Sequence, residues 1–150
     1  MSSPGGVSGA TRFRGVEIIE RETVHLLGPS LTAELSELPL EAPSLWRRAL
    51  EGREDSDVVL AELSEEPGGP LHRITVGTLE PEPTEETTEV PGGRWLHHQH
   101  HGPVEDIGAT YGAMFEHAAE QGIALTNLKL DVGYRADGTE TTHDLYLQLA

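Results

Sequence analysis

The chain twice ends a strand-like segment with Gly-Pro, at residues 28–29 and 102–103, and the same order of elements follows each time. The offset is 102 − 28 = 74 residues, about half of the 150-residue chain. Apolar residues take helical spacing after each Gly-Pro, and two segments with the alternating pattern of strands come next. The sequence therefore predicts two strand–helix–strand–strand repeats, repeat one over residues 14–79 and repeat two over residues 94–150.

The patterns are clearer in the second repeat than in the first. The second repeat is predicted to contain a strand over residues 94–101, a helix over residues 103–121 and strands over residues 128–134 and 143–149. The first is predicted to contain a strand over residues 16–27, a helix that begins near Leu31, breaks at PLEAP and resumes over residues 44–51, and strands over residues 57–63 and 71–79.

Two such repeats join into a mostly antiparallel sheet with both helices on one face, an α+β two-layer arrangement. The other face must be polar, covered by a partner or used for binding, and we predict a ligand groove there. The repeats form a single domain over residues 13–150, after a disordered tail over residues 1–12. Residues 80–93 are predicted to be a solvated acidic linker, because five glutamates, three prolines and two glycines bury too little surface to become ordered.

The charge of the chain limits its partners. The net charge is −16, from 26 acidic and 10 basic residues, so the surface repels phosphate backbones and anionic membranes. We therefore expect neither nucleic-acid nor membrane binding. The absence of cysteine excludes disulfides, thiolate nucleophiles and cysteine-based zinc sites, and it fits a cytoplasmic location. The first residues lack the apolar run of a signal peptide, so we expect none, and no stretch approaches the ~20 apolar residues of a membrane helix.

Short motifs in the second repeat resemble the GyrI-like small-molecule-binding domain, which is also the effector-binding module of multidrug-sensing transcription regulators. The matching residues are His100, Gly102, Pro103, Thr110-Tyr111, Gly133-Tyr134 and Asp144. In the first repeat only the element order and Gly28-Pro29 support the resemblance. Where the family often has a glutamate shortly before its tyrosine, this chain has Asp131, three residues before Tyr134.

The resemblance implies two pseudo-symmetric β-α-β-β units around a groove that takes up bulky, often aromatic or cationic compounds, with an acidic side chain deep in the site. Some stand-alone members are similar to hydrolases that open the cyclopropane ring of DNA-alkylating natural products. Others resemble resistance proteins that sequester a compound.

Four of the eight histidines lie within residues 94–103. Strand alternation divides this segment between two faces, one bearing Trp95, His97, Gln99 and His101, and the other Leu96, His98 and His100. His98 and His100 are about 6.6 Å apart, a distance that a metal ion can bridge. A zinc site needs a third protein ligand, which only His143 or Asp144 offers. We therefore predict no metal and no cofactor.

Alternation also selects the residues of the predicted groove. If the leucines of residues 143–149 meet the helices, then Asp144, Tyr146 and Gln148 face away from them. Trp95 offers a stacking surface, His97 offers hydrogen bonds, and a carboxylate completes the pairing with a cation. The predicted ligand-binding residues are Trp95, His97, Asp131, Tyr134, Asp144 and Tyr146. A salt bridge from Asp131 to Lys129 or Arg135 on a solvated face is the alternative for that residue, and Trp46, Tyr111 and Phe115 are assigned to packing.

Three functions are compatible with this pattern. The first is a stand-alone small-molecule-binding protein, monomeric or homodimeric, that sequesters or senses bulky aromatic or cationic compounds in drug or natural-product resistance. The second is a hydrolase acting on a reactive cyclopropane-type natural product, with an acid or base chosen from Asp131, Asp144, His97 and His100. The third is an inhibitor that binds another protein, such as DNA gyrase.

Overall fold

The computed structural model describes residues 15–51, 59–135 and 142–150, and these ranges contain nine strands and two α-helices. The strands are β1 (Glu17–Arg21), β2 (Val24–Leu27), β3 (Ser30–Glu34), β4 (Val59–Gly68), β5 (Leu71–Glu80), β6 (Thr87–Val90), β7 (Gly93–His101), β8 (Leu125–Arg135) and β9 (Thr142–Leu149). The helices are α1 (Leu38–Leu50) and α2 (Ile107–Glu120), and a 3-10 turn (Val104–Asp106) precedes α2. The predicted tail over residues 1–12 lies outside the described residues.

The described strands form a curled antiparallel sheet in the order β1-β7-β9-β8-β4-β5-β2-β6, with β3 beside β2 along the edge of β5. Repeat one supplies β2–β3, α1, β4 and β5, and repeat two supplies β7, α2, β8 and β9. The repeats meet where β4 pairs with β8, which places Glu62 opposite Asp131. The predicted α+β fold class with two β-α-β-β repeats is confirmed.

The repeats also exchange their leading strands. β1 precedes β2 along the chain but pairs with β7, whereas β6 precedes β7 but pairs with β2. The prediction of one strand over residues 16–27 is therefore wrong, because its two parts run to opposite ends of the sheet. The prediction of a solvated linker over residues 80–93 also fails in part, because β6 lies within it and Val90 is only 2% exposed.

The first helix begins later than its leucine pattern predicts. Leu31 lies in β3, and α1 starts only at Leu38, so the helical spacing before that point is coincidental. PLEAP does not interrupt the helix. Pro39 occupies the first turn, where a missing N–H costs nothing, and the helix continues through Pro43 because Leu45 and Ala49 are buried against the sheet.

Gly28-Pro29 bends a strand rather than ending it. The chain on both sides of this dipeptide pairs with β5, as β2 and then as β3. At the bend the backbone of Gly28 crosses β5 so closely that a Cβ atom would lie 1.9 Å from the carbonyl oxygen of Val76. Only glycine fits such an approach, because any side chain would clash with the backbone of β5.

Both helices pack on one face of the sheet. Leu45 and Ala49 of α1 contact β5, and Met114 of α2 contacts Leu145 and Leu147 of β9, so strand parity places the β9 leucines correctly. No helix in the described ranges is long and apolar enough to cross a membrane.

The core extends to the opposite face of the sheet. Because the sheet curls, residues from both of its ends meet in one core cluster, made of Leu26, Ala61, Leu63, Val90, Trp95 and Leu130. Trp95 is fully buried there, at 0% exposure. Trp95 therefore packs in the core and does not line the ligand groove predicted on the face without helices.

Candidate ligand-binding site

A cavity of about 500 Å³ lies on the helix-bearing face, between α1 and α2. Its floor is formed by side chains of the paired central strands, Glu62 and Ser64 from β4 and Lys129 and Asp131 from β8. One wall is the α2 surface, with Ile107, Gly108, Tyr111 and Phe115, and the other includes Leu35, Leu38 and Ile74. The volume falls within the usual range for small-molecule sites, and the lining is mostly apolar with a few convergent polar groups.

Two carboxylates lie side by side on the floor. Glu62 and Asp131 are directly paired across β4 and β8, and Asp131 is only 5% exposed. Burial, and next the charge of Asp131, raise the pKa of Glu62 to about 7, although a hydrogen bond from Trp46 Nε1 to Glu62 Oε2 (3.2 Å) and the charge of Lys129 oppose this shift. The two carboxyl groups therefore share one desolvated site, where a second negative charge is costly without a counter-charge.

Asp131 is held in place by two neighbours. The hydroxyl of Tyr134 donates to Asp131 Oδ2, and the imidazole of His143 donates through Nδ1 to Oδ1 at 3.2 Å. His143 is 1% exposed, so this contact is sealed from solvent. These hydrogen bonds fix the orientation of the carboxylate on the cavity floor.

A β-bulge brings Tyr134 to the cavity. Strict alternation would turn residue 134 to the face opposite residue 131. The register between β4 and β8 shifts here, so that Leu60 and Ala61 face Tyr134 and Val132, while Gly133 takes a φ of 132°. The extra residue rotates Tyr134 onto the same face as Asp131.

Aromatic side chains surround the two acids. The Tyr134 ring lies 4.5 Å from the ring of Trp46 on α1. The Tyr111 hydroxyl donates to the carbonyl of Leu130 at 3.1 Å, and Phe115 is 43% exposed on the α2 wall. Burial and the nearby carboxylates raise the pKa values of Tyr111 and Tyr134 above their usual range, so both hydroxyls stay protonated. Aromatic faces beside carboxylates favour a cation.

The structure divides the predicted ligand-binding residues between two places. Asp131 and Tyr134 line the cavity. The others, Trp95, His97, Asp144 and Tyr146, lie on the opposite face. There His97 bridges Glu17 (3.1 Å) and Asp144 (2.9 Å) and stacks on the Tyr146 ring at 4.8 Å. Arg21 covers the same ring at 4.4 Å from its centroid. This cluster ties β1 to β7 and β9 and is separate from the cavity.

His100, which the sequence offers as a candidate acid or base, holds the end of β7 against the start of α2. It is 5% exposed, with Nδ1 2.8 Å from Thr110 Oγ1 and Nε2 3.0 Å from the carbonyl oxygen of Pro103. These contacts join the end of β7 to the start of α2. Within the described ranges, no three histidine or acidic side chains come together in a way that suits a metal ion.

Glu62 is a site residue that sequence reasoning missed. Three residues that were assigned to packing also belong to the site, because Trp46 donates to Glu62 and both Tyr111 and Phe115 line the cavity. Glu62 has a local signal, because it stands alone among the apolar residues of LAEL, residues 60–63. An acid in a strand that is apolar on both sides needs a partner or a function. Trp46 has no such signal, since its contact with Glu62 joins residues of a helix and a strand.

Replacing Tyr134 by phenylalanine tests whether the Tyr134 hydroxyl stabilises the buried carboxylate of Asp131. The change removes one hydrogen bond to a buried carboxylate and is expected to lower the free energy of unfolding by roughly 1–2 kcal/mol. Urea unfolding measures it. Tyr146→Phe is the control, with a smaller expected loss, because its hydroxyl donates to no carboxylate among the described residues and its ring contacts with Arg21 and His97 survive. Equal losses in the two variants would contradict the assigned role of the Tyr134 hydroxyl.

No protein-family model and no curated protein sequence matches the chain. Solved structures do resemble it. An integron cassette protein, VCH_CASS2, from the mobile metagenome of Vibrio cholerae superposes with a TM-score of 0.68 at 10% identity, over 92% of this chain and 97% of that one. SAV2435, solved bound to tetraphenylphosphonium, superposes with a TM-score of 0.68 at 8% identity, over 90% of this chain and 93% of that one.

The C-terminal domain of EcmrR gives a TM-score of 0.59 at 11% identity, over 90% of this chain and 96% of that domain. At such low identities the similarity concerns the fold alone. The fold implied by the sequence motifs is thereby confirmed: this chain has the fold of the GyrI-like effector-binding domains of multidrug-sensing regulators.

Proposed function

We propose that the chain binds bulky organic cations with aromatic substituents in the cavity between α1 and α2, and that it thereby sequesters or senses such compounds in the cytoplasm, as in drug resistance. The observation that carries this proposal is the pairing of Glu62 with Asp131 beneath aromatic walls. The similarity in fold to SAV2435, which was solved with tetraphenylphosphonium, supports it.

Desolvation of the cavity floor favours the binding of a cation. A carboxylate on a poorly hydrated floor attracts a cation more strongly than it does in water, because the effective dielectric constant is lower. A large organic cation loses little hydration on entering, and the rings of Tyr111 and Tyr134 offer it further favourable contacts. The net charge of −16 adds a long-range field that concentrates cations near the surface.

Two ions of similar shape and opposite charge test the proposal. Isothermal titration should show binding of tetraphenylphosphonium with a Kd on the order of 10 μM, and no binding of tetraphenylborate. Repeating the titrations in about 1 M salt removes the long-range field, because the screening length falls to about 3 Å. A preference that survives the salt supports a local carboxylate site. Equal binding of both ions, or loss of the preference in salt, would contradict it.

Lys129 provides a second test of the electrostatics. Its ammonium lies 5.3 Å from the centre of the Tyr111 ring on the cavity floor, where it repels an incoming cation. Lys129→Met should therefore tighten tetraphenylphosphonium binding about fivefold, or about 1 kcal/mol. Arg94→Met removes the same charge from an exposed position on β7 outside the cavity, and it should change the affinity less. Weaker binding by Lys129→Met would contradict this repulsion.

A hydrolase remains the second candidate, because a pKa of about 7 suits Glu62 to general acid catalysis in a cavity that admits organic compounds. Purified protein mixed with a cyclopropane-containing electrophile distinguishes the two functions. Repeated turnover that Glu62→Gln abolishes would establish the enzyme. Protection of one equivalent of compound per protein, without product, would establish the binding protein.

A further inference from the structure

Helix α2 contains two glycines, Gly108 in its first turn and Gly112 in its interior, where glycine weakens a helix by about 1 kcal/mol relative to alanine. The protein's own packing requires neither. A Cβ atom built on either residue meets nothing within 4 Å, and neither residue has a positive φ. Helix geometry and internal packing therefore leave both glycines unexplained.

The two glycines differ in one respect. Gly108 is part of the α2 wall of the cavity, together with Tyr111 and Phe115, whereas Gly112, one turn further along, is not among the lining residues. Residues three and seven positions apart lie on the same side of a helix, so Gly108 continues the row of Tyr111 and Phe115 without a side chain of its own. The missing side chain widens the cavity at this point. The wall across from it is apolar, with Leu35, Leu38 and Ile74.

We propose that Gly108 is a specificity-determining residue, whose missing side chain leaves space for a large apolar substituent of the bound cation. The inference rests on the proposed function and refines its ligand class. The cavity would accept cations that carry several aromatic rings, with the charge at the Glu62–Asp131 floor and one ring against the backbone of the first turn of α2. A small cation with a single ring would not reach Gly108.

Two probes and two matched variants test this proposal. The variants are Gly108→Leu and Gly112→Leu, and the probes are tetraphenylphosphonium and trimethylphenylammonium, which carries one ring. Gly108→Leu should weaken tetraphenylphosphonium binding about 30-fold and leave the smaller cation within about twofold, since a clash of a few methylene groups discriminates at this level. Gly112→Leu should change neither affinity.

Thermal unfolding shows whether a variant that loses affinity is still folded. Both leucine variants should unfold at higher temperature than the native protein, because leucine is a better helix former and neither site is crowded. Gly108→Ala, a smaller change, should give an intermediate loss of tetraphenylphosphonium affinity.

The outcomes separate this inference from the proposed function. If the native protein binds neither probe, the proposed function fails and the inference fails with it. If the native protein binds tetraphenylphosphonium and Gly108→Leu binds it as tightly as Gly112→Leu does, the inference alone is wrong. A loss of both probes in Gly108→Leu would also contradict it, because the effect would not depend on ligand size.

Discussion

Replacing Glu62 by glutamine is expected to weaken tetraphenylphosphonium binding about 100-fold near pH 8, where the native carboxyl is ionised. The loss arises because the ligand's charge would enter a desolvated site with one of its two counter-charges removed. Glutamine is close in shape to glutamate and keeps an oxygen that can accept the hydrogen bond from Trp46 Nε1. The cavity should therefore retain its form, and isothermal titration should report the electrostatic loss.

The matched control is Asp144→Asn. It removes the same charge from the opposite face, where the Asp144 side chain is 36% exposed and contacts His97. We expect its affinity for the cation to stay within about twofold of the native value, since exposed charges at a distance are screened. If Asp144→Asn lost as much affinity as Glu62→Gln, the binding would depend on the overall negative field or on the other face of the sheet.

The second large effect concerns stability and pH. The pKa of Glu62 is raised from 4.5 to about 7 by folding, so the folded state holds a proton that the unfolded state releases between these values. The stability that this proton binding gives to the folded state is therefore complete below about pH 4.5, and it is lost as the pH rises through about 7. The difference amounts to about 3 kcal/mol as an upper value, and about 2 kcal/mol after allowing for solvent at the cavity floor.

Glu62→Gln isolates this contribution, because glutamine does not titrate. Urea unfolding near pH 4 should give the native protein and the variant similar stabilities. Near pH 8 the variant should be more stable by about 2 kcal/mol, since it avoids the cost of ionising a carboxyl beside Asp131. A stability difference between the two proteins that does not change with pH would show that the folded environment does not disfavour the charge on Glu62.

The fold could be predicted where its signals are local. The Gly102-Pro103 dipeptide, the alternating leucines of β9 and the apolar spacing of α2 each depend on neighbouring residues. The exchange of β1 and β6 between the repeats could not be predicted in this way, because their pairing joins residues far apart in the chain. Even the acidic segment that contains β6 becomes partly ordered, since one buried residue, Val90, anchors it in the core.

The site was harder to predict for two physical reasons. Alternation shows which side chains share a face, and it placed Asp144 and Tyr146 together correctly, but it does not show which face stays open. Curling of the sheet buries Trp95, and the cavity described above lies between the helices instead. In addition, the bulge at Gly133 reverses the parity of Tyr134, and a bulge changes the facing of residues without any change in local hydrophobicity.

A structure of the chain in complex with tetraphenylphosphonium would show where the cation binds. We expect the phosphonium between α1 and α2, above the carboxylates of Glu62 and Asp131, with at least one phenyl ring against Tyr111 or Tyr134. A ligand bound instead on the face of Trp95 and Tyr146, or bound between the helices without contact to either carboxylate, would contradict this expectation.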